Sequence, residues 1–71
     1  MEERNFQLEN EDYIRLGDLL KAAGLVSTGG QAKIVIQEGK VKVDGQVCLM
    51  RGAKIKSGQV LEFDGKIVRV K

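Results

Sequence analysis

Few side chains in this sequence could act as nucleophiles, and none has a base beside it in the sequence. Ser27 and Thr28 sit together, but the 71-residue chain has no histidine to activate them. Cys48 is the single cysteine, which excludes an internal disulfide, and it reads as part of a strand with no activating partner. Asp18 and Glu38 read as surface and helix-end charges rather than as a paired acid and base. One thiolate without imidazole is too few ligands for zinc, and Gly29-Gly30 is not followed by the Gly-Lys-Ser/Thr of a P-loop. Neither catalysis nor a cofactor or metal is expected. What remains is the chemistry of cations facing anions. Lys33, Lys40, Lys42, Arg51, Lys54 and Lys56 bracket the middle of the chain. A single lysine of this kind is more often a solvated surface charge, so the cluster carries more weight than any member. Thr28-Gly29-Gly30-Gln31 opens a helix whose free N–H groups could seat a phosphate, with glycines removing the side chains that would hold it away. The alternative is that the two glycines merely permit a tight turn between helices.

The charge is divided unevenly. Residues 1–14 hold five acids against Arg4, a balance of −4, while residues 15–71 hold eleven Lys and Arg against five acids, a balance of +6. An acidic arm over 1–12 therefore precedes a basic domain over 13–71, and such a domain attracts polyanions at long range. Its core must be aliphatic, since Phe6, Tyr13 and Phe63 are the only aromatics. The start, MEERNFQLEN, resembles neither a secretory signal nor a transit peptide. No run approaches the ~18 apolar residues of a membrane span. With one unpaired thiol, a cytoplasmic protein without a membrane partner is expected.

These charges need elements to hold them. Leu16, Leu19, Leu20 and Ala23 fall at i, i+3, i+4 and i+7, a helical stripe that Gly24 closes. Thr28 and Gln31 have capping-box spacing, each side chain expected to satisfy the other's free backbone N–H, and Ala32, Val35 and Ile36 form the apolar face of a second helix ending at Gly39. Ile34 points away from that face, so it is either exposed or covered by another layer, with strands from the two chain ends the favoured cover. From residue 41 the period becomes two. Val41–Val43 and Gln46–Cys48 flank Asp44-Gly45, and Val60–Phe63 and Ile67–Val70 flank Asp64-Gly65, both strong hairpin signals. Asn5–Leu8 reads as a further edge strand. The order is β-α-α-β-β-β-β: an α+β fold with two short helices packed on a small, mainly antiparallel sheet.

The run IRLGDLLKAAGLVSTGGQAKIVIQEGKVKVDGQV, followed by KIKSGQVLEF, resembles the S-four RNA-binding domain, named after ribosomal small-subunit protein four. The resemblance covers about 50 of the 71 residues and is nearest to the short stand-alone bacterial members. It implies an L-shaped helix–hairpin surface, the αL motif, set against folded RNA. Arg15, Lys21, Ser27, Thr28, Lys33, Lys40 and Lys42 match its contact positions. Two departures stand out: Gly29-Gly30 occupies a turn where many members carry Arg or Lys, and Gln59 replaces the more usual acid. The expected partner is structured RNA, with ribosomal RNA or the ribosome foremost, bound by a monomer. The poverty of aromatics favours reading of duplex or junction shape over single-strand stacking. Helix two is too short and too lightly charged to read a DNA major groove. The competing expectation is a protein-interaction module of the same fold, using apolar residues such as Ile34, Leu49 and Met50.

Overall fold

The computed structural model describes residues 2–9 and 11–71. Strand β1 (Glu2–Phe6) is followed by a two-residue strand β2 (Ile14–Arg15) that runs directly into helix α1 (Leu16–Ala22). Helix α2 (Gly29–Gln37) and strands β3 (Val41–Val43), β4 (Gln46–Val47), β5 (Lys54–Ile55), β6 (Val60–Phe63) and β7 (Lys66–Val70) complete the chain. Five strands form one sheet in the order β1-β7-β6-β3-β4, parallel only between β1 and β7, and β2 pairs antiparallel with β5 in a separate ribbon. The α+β expectation stands, with two strands added: β2 and β5 are too short for alternation to reveal.

Local chemistry explains the elements that were expected. Asp44 and Gly45 have φ of 52° and 84°, Asp64 and Gly65 of 53° and 73°, so both residues of each turn are left-handed, as two-residue hairpins require. Gly24 at φ 77° ends α1 as expected. Strand β1 begins three residues earlier than Asn5 and stops at Phe6. Hydrogen bonds from Lys71 N to the Phe6 carbonyl (2.8 Å) and from Leu8 N to the Lys71 carbonyl (3.2 Å) carry the pairing past its end. The Arg4 guanidinium reaches from β1 to the Ala23 carbonyl (2.6 Å), satisfying a free acceptor at the end of α1 and tying sheet to helix.

The core is aliphatic throughout: Leu16, Leu19 and Leu20 of α1, Ala32 and Ile36 of α2, Ile55 of β5, and Val41, Leu61, Val68 and Val70 of the sheet are buried. No charged or polar side chain among the described residues is buried with them. Ile34 is not covered but 57% exposed. The chain-end strands β1 and β7 pair with each other inside the sheet, which leaves the outer side of α2 to solvent.

The β3–β4 turn is pinned to β6 by one carboxylate. Asp44 accepts from the Gln59 side-chain amide (3.0 Å) and from Val60 N–H (3.0 Å), while its own N–H donates to the Val60 carbonyl (2.8 Å). Gln59 also accepts from Lys56 N–H (2.7 Å). This gives the Gln59 departure a structural role, since an acid there would have no proton to donate and would repel Asp44. These donors, Gln59 foremost, hold the Asp44 carboxyl below its ordinary range. Because the folded-state value is the lowered one, the stabilisation is full above the ordinary carboxylate range and is lost as pH falls through the folded value. Thermal melts should show wild type losing more stability than Asp44→Asn below about pH 4. Parallel curves for the two proteins would remove this role.

Candidate nucleic-acid interface

The β2–β5 ribbon sorts its four side chains by face. Ile14 stands opposite Ile55 on the inner side, so Arg15 stands opposite Lys54 on the outer side. Directly opposed residues have Cβ atoms about 5 Å apart, and like charges in that relation are destabilising. Lys54 Nζ lies 5.0 Å from the centre of the Tyr13 ring, a cation–π contact.

A third cation is delivered by the backbone. Leu16 N–H donates to the Ala53 carbonyl (2.9 Å) and Gly17 N–H to the Arg51 carbonyl (3.1 Å), so the 51–53 loop is bound to the start of α1. Gly17 gives Arg51 room, while Gly52 borders Arg15 at ordinary contact distance. A Cβ at Gly17 would come within 3.0 Å of Arg51 Cγ, and one at Gly52 within 3.6 Å of Arg15 Nη1. Arg15, Gly17, Asp18, Gly29, Arg51 and Gly52 line an open cleft of about 410 Å³. Four of those six residues are glycine or aspartate rather than cation, and Asp18 offsets part of the positive charge. Even so, neither Arg15, Arg51 nor Lys54 takes part in an ion pair among the described residues; those present are Arg4–Glu2, Lys40–Glu38, Lys66–Asp64 and Arg69–Glu3.

Gly29 and Gly30 are not a turn but the first residues of α2, and neither has positive φ. A Cβ at Gly29 would meet nothing within 4 Å, so neither backbone conformation nor packing demands glycine there. Its effect is to leave the Gly29 N–H at the edge of the cleft with no side chain of its own residue to crowd it. The cap itself is as expected on one side, with Gln31 N–H donating to Thr28 Oγ1 (3.1 Å). On the other side Gln31 Oε1 accepts from Ser27 N–H (2.8 Å), one residue before the cap, because the extended backbone of Thr28 carries that N–H into reach.

The other expected contact residues are placed around this cluster and not in it. Lys21 is exposed in the last turn of α1 and Lys33 on α2. Lys40 is exposed and paired with Glu38 at 3.3 Å. Lys42 alternates with the buried Val41 and stands in register with Glu62, Ile67 and Glu3, on the sheet face turned away from the core. Lys56 is exposed beyond β5. Sequence reasoning missed Gly17 as the residue that gives Arg51 room, and it missed the pairing of Arg15 with Lys54. Arg51-Gly52-Ala53-Lys54-Ile55 offers no periodic signal. A glycine inside the Leu-rich stripe of α1 was the one visible hint.

No helix among the described residues is long and apolar enough to cross a membrane. The model of the S4 domain matches residues 6–71. The "Putative RNA-binding protein YbcJ" of Escherichia coli (strain K12) is 46% identical over 65 residues, covering 92% of this chain and 93% of that protein. The "Probable ribosome maturation protein RlbA" of Bacillus subtilis (strain 168) is 37% identical over 54 residues, 76% of each chain. The solution structure of E. coli YbcJ, described as revealing an αL motif involved in RNA binding, superposes with a TM-score of 0.72 at 45% identity, over 93% of this chain and 84% of that one. With the helices, the hairpin and nearly the whole length in common, the chain belongs to the S4 domain family.

Proposed function

We propose that this chain is a non-catalytic module that binds structured RNA, ribosomal RNA foremost, through the Arg15–Arg51–Lys54 cluster and the bare start of α2. The observation that carries the proposal is the opposition of Arg15 to Lys54, with Arg51 laid across Gly17 and no ion pair to any of them among the described residues. Such a cluster is disfavoured in the free protein and relieved by a phosphate backbone. The names of the E. coli and B. subtilis relatives support RNA and the ribosome respectively as the target class. Residues 13–71 serve as the binding domain, and the acidic arm 1–12 contributes its strand to the sheet. A cytoplasmic monomer suits a chain with one thiol and no covalent cross-link.

Nitrogen-15 NMR titration with an RNA hairpin, and with DNA of matched sequence, tests this. Amide shifts should concentrate at 15–17, 29–30 and 51–54, should be larger for RNA, whose 2′-hydroxyls add contacts, and should vanish at high salt. If three to four phosphates are neutralised, log affinity should fall against log salt with a slope of about −2 to −4. Silence of these amides at low salt, or equal responses to RNA and DNA, would overturn the proposal.

A further inference from the structure

Among the described residues, three of the four exposed large apolar side chains lie within four consecutive positions: Val47 (52%), Leu49 (60%) and Met50 (69%). The strip has a fixed shape. Val47 and Leu49 converge over Gly39 at the end of α2, where a Cβ would lie 3.7 Å from Val47 Cγ1 and 4.0 Å from Leu49 Cδ2. Cys48, between them, packs against the core and donates its N–H to the Val41 carbonyl (3.0 Å). The Met50 carbonyl accepts from Ala53 N–H (3.1 Å). Backbone bonds thus hold the apolar side chains outward, and apolar surface displayed in this way marks a contact site.

The rim of the strip identifies what it meets. Lys42 stands directly opposite Val47 in the β3–β4 register, Lys40 follows Gly39, and Arg51 follows Met50. Glu38, paired with Lys40, and Glu62, opposite Lys42 on β6, offset part of this charge, and the three cations still outnumber them. A positive rim around an apolar centre complements a polyanion that also offers apolar surface. In RNA that surface is the base face, and a base exposes it only where it is unstacked, at a bulge, a junction or a helix end. Leu and Met are side chains that wedge against unstacked bases beside cationic phosphate contacts. Arg51 also joins the strip to the cation cluster, with its Cα only ~3.8 Å along the chain from that of Met50.

Resting on the RNA-binding function proposed above, we infer that Val47, Leu49 and Met50 form a platform for one unstacked nucleotide, so that the protein selects structured RNA carrying an unpaired base over uninterrupted duplex. The phosphate beside that nucleotide falls to Arg51, and the base lies on Leu49 and Met50.

Two hairpins with the same stem, one fully paired and one carrying a single bulged 2-aminopurine, provide the test by fluorescence and direct binding. Wild type should favour the bulged RNA by about fivefold to tenfold, no more than the lower end of what stacking a base on an aromatic side chain contributes, with a change in 2-aminopurine emission. Leu49→Ser/Met50→Ser should bind bulged and paired RNA alike and leave the emission unchanged, while Arg51→Ala should weaken both complexes. Ile34→Ser removes an equally exposed apolar side chain outside the strip and should keep the preference. Circular dichroism melts of each variant establish that it is folded. Equal binding of the two hairpins by wild type, or a double variant that retains the preference, would overturn the platform and leave the strip to a protein partner, with RNA binding intact. Failure of wild type to bind either hairpin would overturn the RNA-binding function and the platform together.

Discussion

Arg15→Ala/Arg51→Ala is expected to bind a structured RNA hairpin about 100-fold more weakly than wild type, from the loss of two charge-assisted contacts to phosphate. The slope of log affinity against log salt should shrink by about 2, because two phosphates lose their cations. Filter binding or fluorescence anisotropy over a salt series measures both quantities. Lys54→Gln supplies the complementary test. It removes a like charge directly opposite Arg15 together with the cation–π contact to Tyr13, two effects of opposite sign, so the melting temperature should move by no more than about 2 °C while RNA affinity falls. Weakened binding with stability nearly unchanged is the signature of a charge placed for a partner. A fall in melting temperature with the salt slope unchanged would assign Lys54 and the arginines to folding instead.

The second large effect lies beneath that cluster. Leu16 is fully buried, and its N–H donates to the Ala53 carbonyl, so it fastens the start of α1 to the loop that carries Arg51. Leu16→Ala should cost about 3 kcal/mol, from lost burial and the cavity left behind. In a domain of this size that is a large share of the total stability, and the melting temperature should drop by roughly 12–24 °C. Ile34→Ala, at an exposed position, should change stability by no more than about 0.5 kcal/mol. Urea titration of both variants reads the contrast. Equal losses would mean that Ile34 is covered after all and that the outer side of α2 is not free.

That contrast also marks where sequence reasoning stopped. Periodicity finds the side of α2 that needs burial, through Ala32, Val35 and Ile36, but it does not say whether another layer covers the opposite side. Coverage of Ile34 depended on where β1 and β7 went. They joined the sheet, with Glu2–Phe6 in parallel register with Lys66–Val70. The departures from the family pattern were likewise visible as residue types and opaque in purpose. Gln59 bridges Asp44 and Lys56, and Gly29 keeps the start of α2 open to the cleft.

By itself the sequence determined the local features: the Leu16–Leu20 stripe, the Thr28–Gln31 cap, the two Asp-Gly hairpins, the aliphatic core, and the family to which their order pointed. Each rests on interactions between residues a few positions apart, where 3.6-residue and two-residue periods and left-handed turn conformations act directly. Only the tertiary structure decided which cations meet. Arg15 and Lys54 are about forty positions apart in the chain and are joined by a ribbon only two residues wide on each side. Arg51 lines the same cleft as Arg15 and lies against Gly17, where a side chain would crowd it. Pairing over that distance follows from burial of Ile14, Leu16 and Ile55 together, and burying those side chains turns the charges beside them outward into one cluster.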